Sequence, residues 1–281
     1  MSELGIVGIA LIIVNSIVSY KGLTDHSFLN AFKFEVDRIL IYKEYKRLIT
    51  SGFLHVSWTH LFFNMLSLLA FSGLLEHQIG SIGFLLVYLA SLIGGNLLAL
   101  AVHRFHGDYS AVGASGAVCG VIFASIALFP DLGIRFFILP FFIPSWLYGI
   151  GFVAYSIYGI KSKKDNIGHE AHLGGALIGM LIAILLRPHS LIENYLPILL
   201  IAIPTLLFIY LIATRPHLLL IDNSFFKSQK KYVDIDHQYN ENKLAKQQEI
   251  DRLLDKISAK GINSLSKKER QKLDDYAKRR K

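Results

Sequence analysis

Ser115 stands between glycines in Gly113-Ala114-Ser115-Gly116, at the head of an apolar run that continues through Cys119 and Gly120 to Leu128. His172 heads another such run, with Gly175 and Gly179 further along it. A hydroxyl and an imidazole are the minimum for acyl transfer: the base takes the hydroxyl proton and the oxygen attacks a carbonyl. The oxyanion that results needs donors aimed at it. His60 and Asn64, at i and i+4 in His60-Leu61-Phe62-Phe63-Asn64, share one helix face and can both donate to one point. The Ser115 N–H could join them. No Asp or Glu stands ready as a third member, so packing would have to hold this dyad. Each piece alone has a plainer reading. Glycines at 113, 116 and 120 suit helix–helix contact in lipid, and a His/Asn pair can clasp two helices together.

The composition says what kind of scaffold must position these residues. The chain of 281 residues is 53% hydrophobic and 18% charged, with a mean hydropathy of +0.44. Soluble domains carry roughly 25% charged residues. The apolar residues fall into seven runs, at about 4–20, 58–76, 82–102, 115–129, 138–160, 171–186 and 195–213, each near the ~20 residues that cross a bilayer. The expected fold class is all-α, a polytopic membrane helix bundle. Met1-Ser2-Glu3 is no basic n-region, so the first run reads as a retained helix. Helices two apart in an up-down bundle point the same way. The heads of the second, fourth and sixth runs, carrying His60/Asn64, Ser115 and His172, therefore share one membrane face. Gly175 and Gly179 would open a groove beside His172 in which another backbone can lie close.

Other polar groups at membrane depth have quieter readings. Glu76 reads as a helix-end charge and Asn96 as a packing hydrogen bond. His169, Glu170 and His172 point in different directions around a helix, so no metal and no cofactor is expected. Cys119 is the single cysteine, which excludes an intrachain disulfide. The segment 21–57 is long enough to carry structure of its own. Beyond Thr214 the chain turns soluble and basic, with 16 Lys/Arg against 10 Asp/Glu from Asp222 to Lys281. Leu244 to Ile257 reads as a helix stopped at Gly261, and Ser266-Lys267-Lys268-Glu269 has capping-box spacing ahead of a second. Such a tail would dock on anionic lipid or a protein partner rather than on nucleic acid.

In these motifs the sequence resembles the rhomboid family of intramembrane serine proteases. Gly113-Ala114-Ser115-Gly116 is similar to the family's GxSG, Ala171-His172 with Gly175 and Gly179 to its AHxxGxxxG, and His60/Asn64 to its HxxxN. Arg47 falls where the family often has Trp-Arg, with Lys46 in place of the Trp. The resemblance implies Ser115 as nucleophile, His172 as general base, and an oxyanion site of His60, Asn64 and the Ser115 amide, with Gly113 lining it. It implies a first loop beside the bundle and a fifth segment acting as lateral gate, with Phe63, Phe142 or Trp146 forming that gate. It also implies a bacterial cytoplasmic membrane and substrates that are single-pass or polytopic membrane proteins, cut within a locally unwound helix. The domains would then be a rhomboid core at 1–190, an added hydrophobic segment at 191–214 and a basic tail at 215–281. Many members carry a tyrosine four residues after the serine, packed on the imidazole. Here that position is Cys119, leaving another aromatic such as Tyr155 or Tyr158 to substitute.

Three functions compete: the protease, a rhomboid-like pseudoprotease that binds membrane helices without cleavage, and a transporter. Transport would call for intramembrane charges or an inverted repeat, and the sequence has neither. Seven spans would put the basic tail on the Ser115 side, together with loop 21–57 and the stretch 161–164, and the positive-inside rule assigns such a side to the cytoplasm. A re-entrant 195–213, broken at Pro197 or Pro204, would instead separate the tail from the Ser115 face.

Overall fold

The computed structural model describes residues 5–134, 142–162 and 167–214, with Lys256, Ser266 and Glu269 of the tail. The chain divides into two units, 1–228 and 229–281.

Helix α1 (Ile6–Thr24) begins with free backbone N–H groups, and Glu76 meets them. Its carboxylate accepts from Val7 N–H at 3.1 Å and Gly8 N–H at 3.0 Å, and takes the Ser81 hydroxyl at 2.7 Å. An anion at a helix N-terminus offsets the macrodipole and satisfies donors that have no partner inside the helix. The helix-end reading of Glu76 therefore gains a partner: it caps the neighbouring helix.

The first loop is folded. Asp25 caps α2 (His26–Phe32), accepting from Ser27 and Phe28 N–H. The short helices α3 (Val36–Leu40) and α4 (Arg47–Thr50) follow, then a single 3-10 turn over Ser51–Phe53. Arg47 holds these pieces together. Its Nε donates to Glu44 at 2.6 Å, and its Nη1 to the carbonyls of Asn30 at 3.0 Å and Lys33 at 2.7 Å. A planar fork with several donors can tie a side chain and two carbonyls at once.

Helix α5 (Trp58–Val102) covers the second and third apolar runs, and Gly80, at φ 75°, turns the chain between its two halves. Only a residue without Cβ takes that conformation cheaply. The described bundle continues with α6 (Ser115–Leu128), α7 (Ser145–Ser162), α8 (His169–Leu186), α9 (His189–Glu193) and α10 (Tyr195–Thr214). Helices α1, α5, α8 and α10 are long and apolar enough to cross a membrane. The fifth run was expected from about 138. Residues 135–141 lie outside the described part, and the helix starts at Ser145, after a two-residue pairing of Gly133–Ile134 with Ile143–Pro144. Helix α10 runs unbroken through Pro204, without the break at that proline that a re-entrant segment was expected to use.

Chain direction follows from the connections. Helix α7 starts where α6 ends: Ser145 Oγ donates to Phe129 O at 2.9 Å and Trp146 N–H to Pro130 O at 3.1 Å. Asn194, just ahead of α10, donates to Ala127 O at 2.9 Å. Helix α10 therefore starts at the α6 C-terminal end and returns to the Ser115 face. That face also carries loop 21–57 with its six Lys/Arg.

The centre of the bundle is built by glycine. A Cβ on Gly175 would strike Gly116 O, one on Gly179 would strike Gly120 O, and one on Gly95 would strike Ala171 O. Helices α6, α8 and the second half of α5 thus meet backbone to backbone, as small residues allow in lipid. Around them Leu68, Phe84, Tyr88, Phe123, Ile126 and Leu173 are fully buried.

In the tail, the capping box forms as its spacing predicts. Ser266 N–H donates to Glu269 Oε2 at 2.7 Å and Glu269 N–H to Ser266 Oγ at 3.3 Å. Lys256 joins at 2.9 Å, and these donors push the Glu269 carboxyl down to about 2. The remaining residues of the expected hairpin lie outside the described part.

Candidate active site

Helix α6 has 14 residues, about 21 Å of rise against a ~30 Å hydrocarbon core. Its first residue is Ser115, so the hydroxyl is recessed, and it is half-buried. The glycine contacts between α6 and α8 bring His172, in the first turn of α8, against it. His172 Nε2 and Ser115 Oγ are 2.8 Å apart. With the imidazole proton on Nδ1, Nε2 accepts the serine hydroxyl, the arrangement a general base needs.

The loop ahead of Ser115 is tied to the first loop along its length. Ser110–Ala111 pair with Phe34–Glu35. Gly113 N–H donates to Ser51 O at 3.0 Å, and Asn96 holds that turn from α5, donating to Leu48 O at 2.8 Å and Ser51 Oγ at 3.2 Å. This is the packing role read for Asn96. Gly113 has φ 141°, and a Cβ there would lie 2.8 Å from His60 Cε1 and 3.5 Å from Ser115 Oγ. Glycine is therefore demanded twice, by the backbone angle and by the two side chains it separates.

Ala114 N–H donates to His55 Nε2 at 3.4 Å. His55 sits in the linker between the 3-10 turn and α5, wholly buried. The partners fix its tautomer. Ser19 Oγ donates to Phe53 O at 2.9 Å, so the 2.7 Å contact between Ser19 Oγ and His55 Nδ1 is a bond donated by the ring. Nε2 is then the acceptor for Ala114. Burial, helped by the neighbouring His60, pushes the His55 imidazole down from its usual 6.5 to about 3, which keeps it neutral.

With Gly113 and Ala114 N–H engaged, and Val118 N–H the first to bond within α6, to Ala114 O at 2.9 Å, the amides of Ser115, Gly116 and Ala117 form the helix's first turn. Such amides have no partner within their own helix and favour an anion. His60 flanks Gly113 from α5, its own N–H capped by Ser57 Oγ at 3.1 Å. Asn64 is buried one turn on, and one of its amide hydrogens goes to His60 O at 3.0 Å. The other is left to donate elsewhere.

Among residues offered as gate or support, Phe63 is exposed on α5 and touches Phe62 edge-on. Phe142 is exposed over Gly133, and Trp146 is in the first turn of α7, half-buried against the core. Because α7 starts at the far end of α6, both lie away from the dyad. Tyr155 and Tyr158 do not replace the missing ring on His172 either: both are largely exposed, and Tyr155 meets His169, with centroids 5.2 Å apart. The α7 ring beside His172 is Phe152, at 6.0 Å. Cys119 is buried in the core behind Ser115. Among the described residues no group of three His, Cys, Asp or Glu could hold a metal ion.

Sequence reasoning missed His55 and Phe152. His55 carries one signal, an ionisable residue in the otherwise uncharged stretch Gly52–Thr59 just ahead of a helix cap. Phe152 carries none, since its role depends on the rotation of α7.

Residues 42–189 match the Rhomboid domain family, and residues 233–279 match a family of unknown function, DUF6576. The chain is 33% identical over 137 residues to Rhomboid protein 1, mitochondrial, of Saccharomyces cerevisiae, covering 48% of this chain and 40% of that protein. It is 30% identical over 189 residues to RHOMBOID-like protein 12, mitochondrial, of Arabidopsis thaliana, covering 60% and 55%. It is 31% identical over 208 residues to rhomboid protease AarA of Providencia stuartii, covering 66% and 72%.

Proposed function

The chain belongs to the rhomboid family and is an integral, multi-pass membrane protein, and from that premise we propose that it is an intramembrane serine protease using Ser115 and His172. The carrying observation is the 2.8 Å hydrogen bond between their side chains at the head of α6. His172 Nε2 takes the hydroxyl proton as Ser115 Oγ bonds to the carbonyl carbon of a substrate peptide. The carbonyl electron pair moves to oxygen, where the first-turn amides of α6, His60 and Asn64 stabilise it. The oxyanion collapses and expels the amine, which leaves with the proton from His172. Water then attacks the acyl-enzyme with His172 again as base, freeing Ser115. The substrate is a membrane protein whose helix unwinds locally, because a hydrogen-bonded helix hides its carbonyls from a nucleophile. The tail after residue 214 serves binding, to anionic lipid or to a protein.

A pseudoprotease that only binds helices is the second reading, and the Ser–His bond favours the first. A fluorophosphonate probe separates them, since only an activated serine labels. Wild-type protein in detergent should label, Ser115→Ala should not, and His172→Ala should lose about a thousandfold or more in rate. Cleavage of a reconstituted transmembrane substrate that survives either substitution would falsify the dyad.

A further inference from the structure

No step of the proposed cleavage uses Glu170, yet it stands in the first turn of α8, two residues ahead of His172, and is only 6% exposed. A buried carboxylate is costly unless a partner compensates it. Its partner is His103, the C-cap of α5, itself 7% exposed, with Nε2 at an ion-pair distance of 3.5 Å from Glu170 Oε1. His103 also anchors the loop that leads to Ser115. His106 N–H donates to His103 O at 2.8 Å, and Tyr109 N–H to His106 O at 3.0 Å. The Nδ1 atoms of His103 and His106 are 3.3 Å apart, one ring donating to the other, and the Tyr109 ring stacks flat on His103 at 3.6 Å. The first loop holds the same segment from outside. Val36 N–H donates to Tyr109 O at 3.1 Å, Asp37 N–H to Gly107 O at 3.0 Å, and Phe34 meets the Tyr109 ring edge-on. Phe34, Val36, Ile39 and Ala99 form a small core there, with Tyr109, Ala111 and Ala171 packed on it.

We propose that Glu170 is a positioning residue for the catalytic pair: held by His103, its carboxylate fastens the turn that carries His172 to the loop that delivers Ser115. This rests on the reading of Ser115 and His172 as nucleophile and base. The glycine contacts hold α8 from Ala171 inward, with Gly95 and Gly116 against Ala171 O and Gly175 against Gly116 O. Ahead of Ala171 the first turn is a helix end, and helix ends fray. Glu170 is the fastening on that side. Backbone contact sets how closely α6 and α8 lie. The ionic contact, made off the helix axis, sets how the first turn is rotated, and with it where the His172 imidazole points relative to Ser115.

The test uses the full-length protein in detergent and liposomes, well below the melting temperature of every variant. It is read by fluorophosphonate labelling and by kcat and KM on a reconstituted transmembrane substrate. Glu170→Gln keeps the shape and removes the charge. It should lower kcat and the labelling rate by about tenfold to a hundredfold, the scale of a misplaced catalytic group, with KM little changed. His103→Gln leaves the carboxylate buried without its ion-pair partner, so it should lose at least as much. The double variant carries no such charge and should label no more slowly than His103→Gln, because two members of one pair do not add. It also carries the test should either single variant fail to fold. Wild-type kcat and labelling in Glu170→Gln or in the double variant, with His172→Ala inactive, would overturn the proposal and leave the dyad standing. A lowered melting temperature at unchanged kcat would do the same, reducing the contact to a structural ion pair. So would losses that multiply in the double variant, or a rise in KM at unchanged kcat. Labelling that persists in His172→Ala would overturn the dyad itself.

Discussion

Helices α6 and α8 meet backbone to backbone, whereas α7 meets both through side chains. At the first contact Gly175 and Gly179 leave no room for a methyl group against Gly116 and Gly120. At the second, rings and branched side chains fill the space: Phe152 against Phe123 and His172, and Ile126 against Gly149, which Ile201 of α10 also meets. Backbone contact cannot be relaxed by changing a rotamer, so it fixes the Ser–His distance. Side-chain contact can be relaxed by a change of rotamer, so it holds α7 less tightly than the backbone contact holds α6 against α8. The two kinds of interface thus differ in how firmly they fix their helices.

The harshest test of this contrast is Gly179→Ala. The added methyl would overlap the Gly120 backbone, and neither helix can yield by a rotamer change. Overpacking of this kind costs about 1–3 kcal/mol. Forcing the helices apart by even ~1 Å should lower fluorophosphonate labelling about a hundredfold. Labelling at the wild-type rate with an unchanged melting temperature would mean that the backbone contact does not set the dyad.

His55 tests the rigid side from outside the helices. It ties the Ala114 amide to Ser19, and burial keeps it neutral. The unfolded chain protonates this ring near 6.5 and the folded protein only near 3. Between those values the unfolded state binds more protons, so stability is full above about 6.5 and is lost as pH falls toward 3. His55→Gln keeps an acceptor without the titration. It should flatten the acid side of the melting-temperature profile and lower labelling at neutral pH by several-fold, as the loop loosens. A profile identical to wild type between pH 4 and 7 would remove His55 from the account.

How much of this could be read in the sequence divides along the same line. The apolar runs gave the helices, because burial in lipid demands them. The glycine spacing pointed to the close helices, because only glycine permits backbone contact. Ser115 and His172 could be paired because each heads a run on the same face. The α7 side was not legible. Choosing among Phe152, Tyr155 and Tyr158 requires the rotation of α7 about its axis, and a helix with apolar residues on most sides does not reveal it. Phe142 and Trp146 were offered for the gate by the family resemblance, and the sequence does not show at which depth α7 begins. His55 was missed because its partners, Ser19 and Ala114, are far away in the chain.

The mildest prediction is the same substitution placed on the side-chain-packed region. A Cβ at Gly149 would lie 2.9 Å from Ile201 Cδ1 and 3.0 Å from Ile126 Cδ1. Both atoms are ends of flexible side chains, and turning them aside costs about 0.5–1.5 kcal/mol each at most. Against this, alanine in a helix interior is favoured over glycine by about 1 kcal/mol. The two effects nearly cancel, so Gly149→Ala should shift the melting temperature in detergent by only a few degrees, about 2–4 °C per kcal/mol for a chain of this size. Labelling of Ser115 should be unchanged, because nothing on the α6–α8 contact moves. Gly149→Ala and Gly179→Ala add one methyl group each, so their difference isolates what the methyl meets. Equal losses of labelling in the two variants would show α7 to be locked as firmly as α8, and the division between the two kinds of interface would fail.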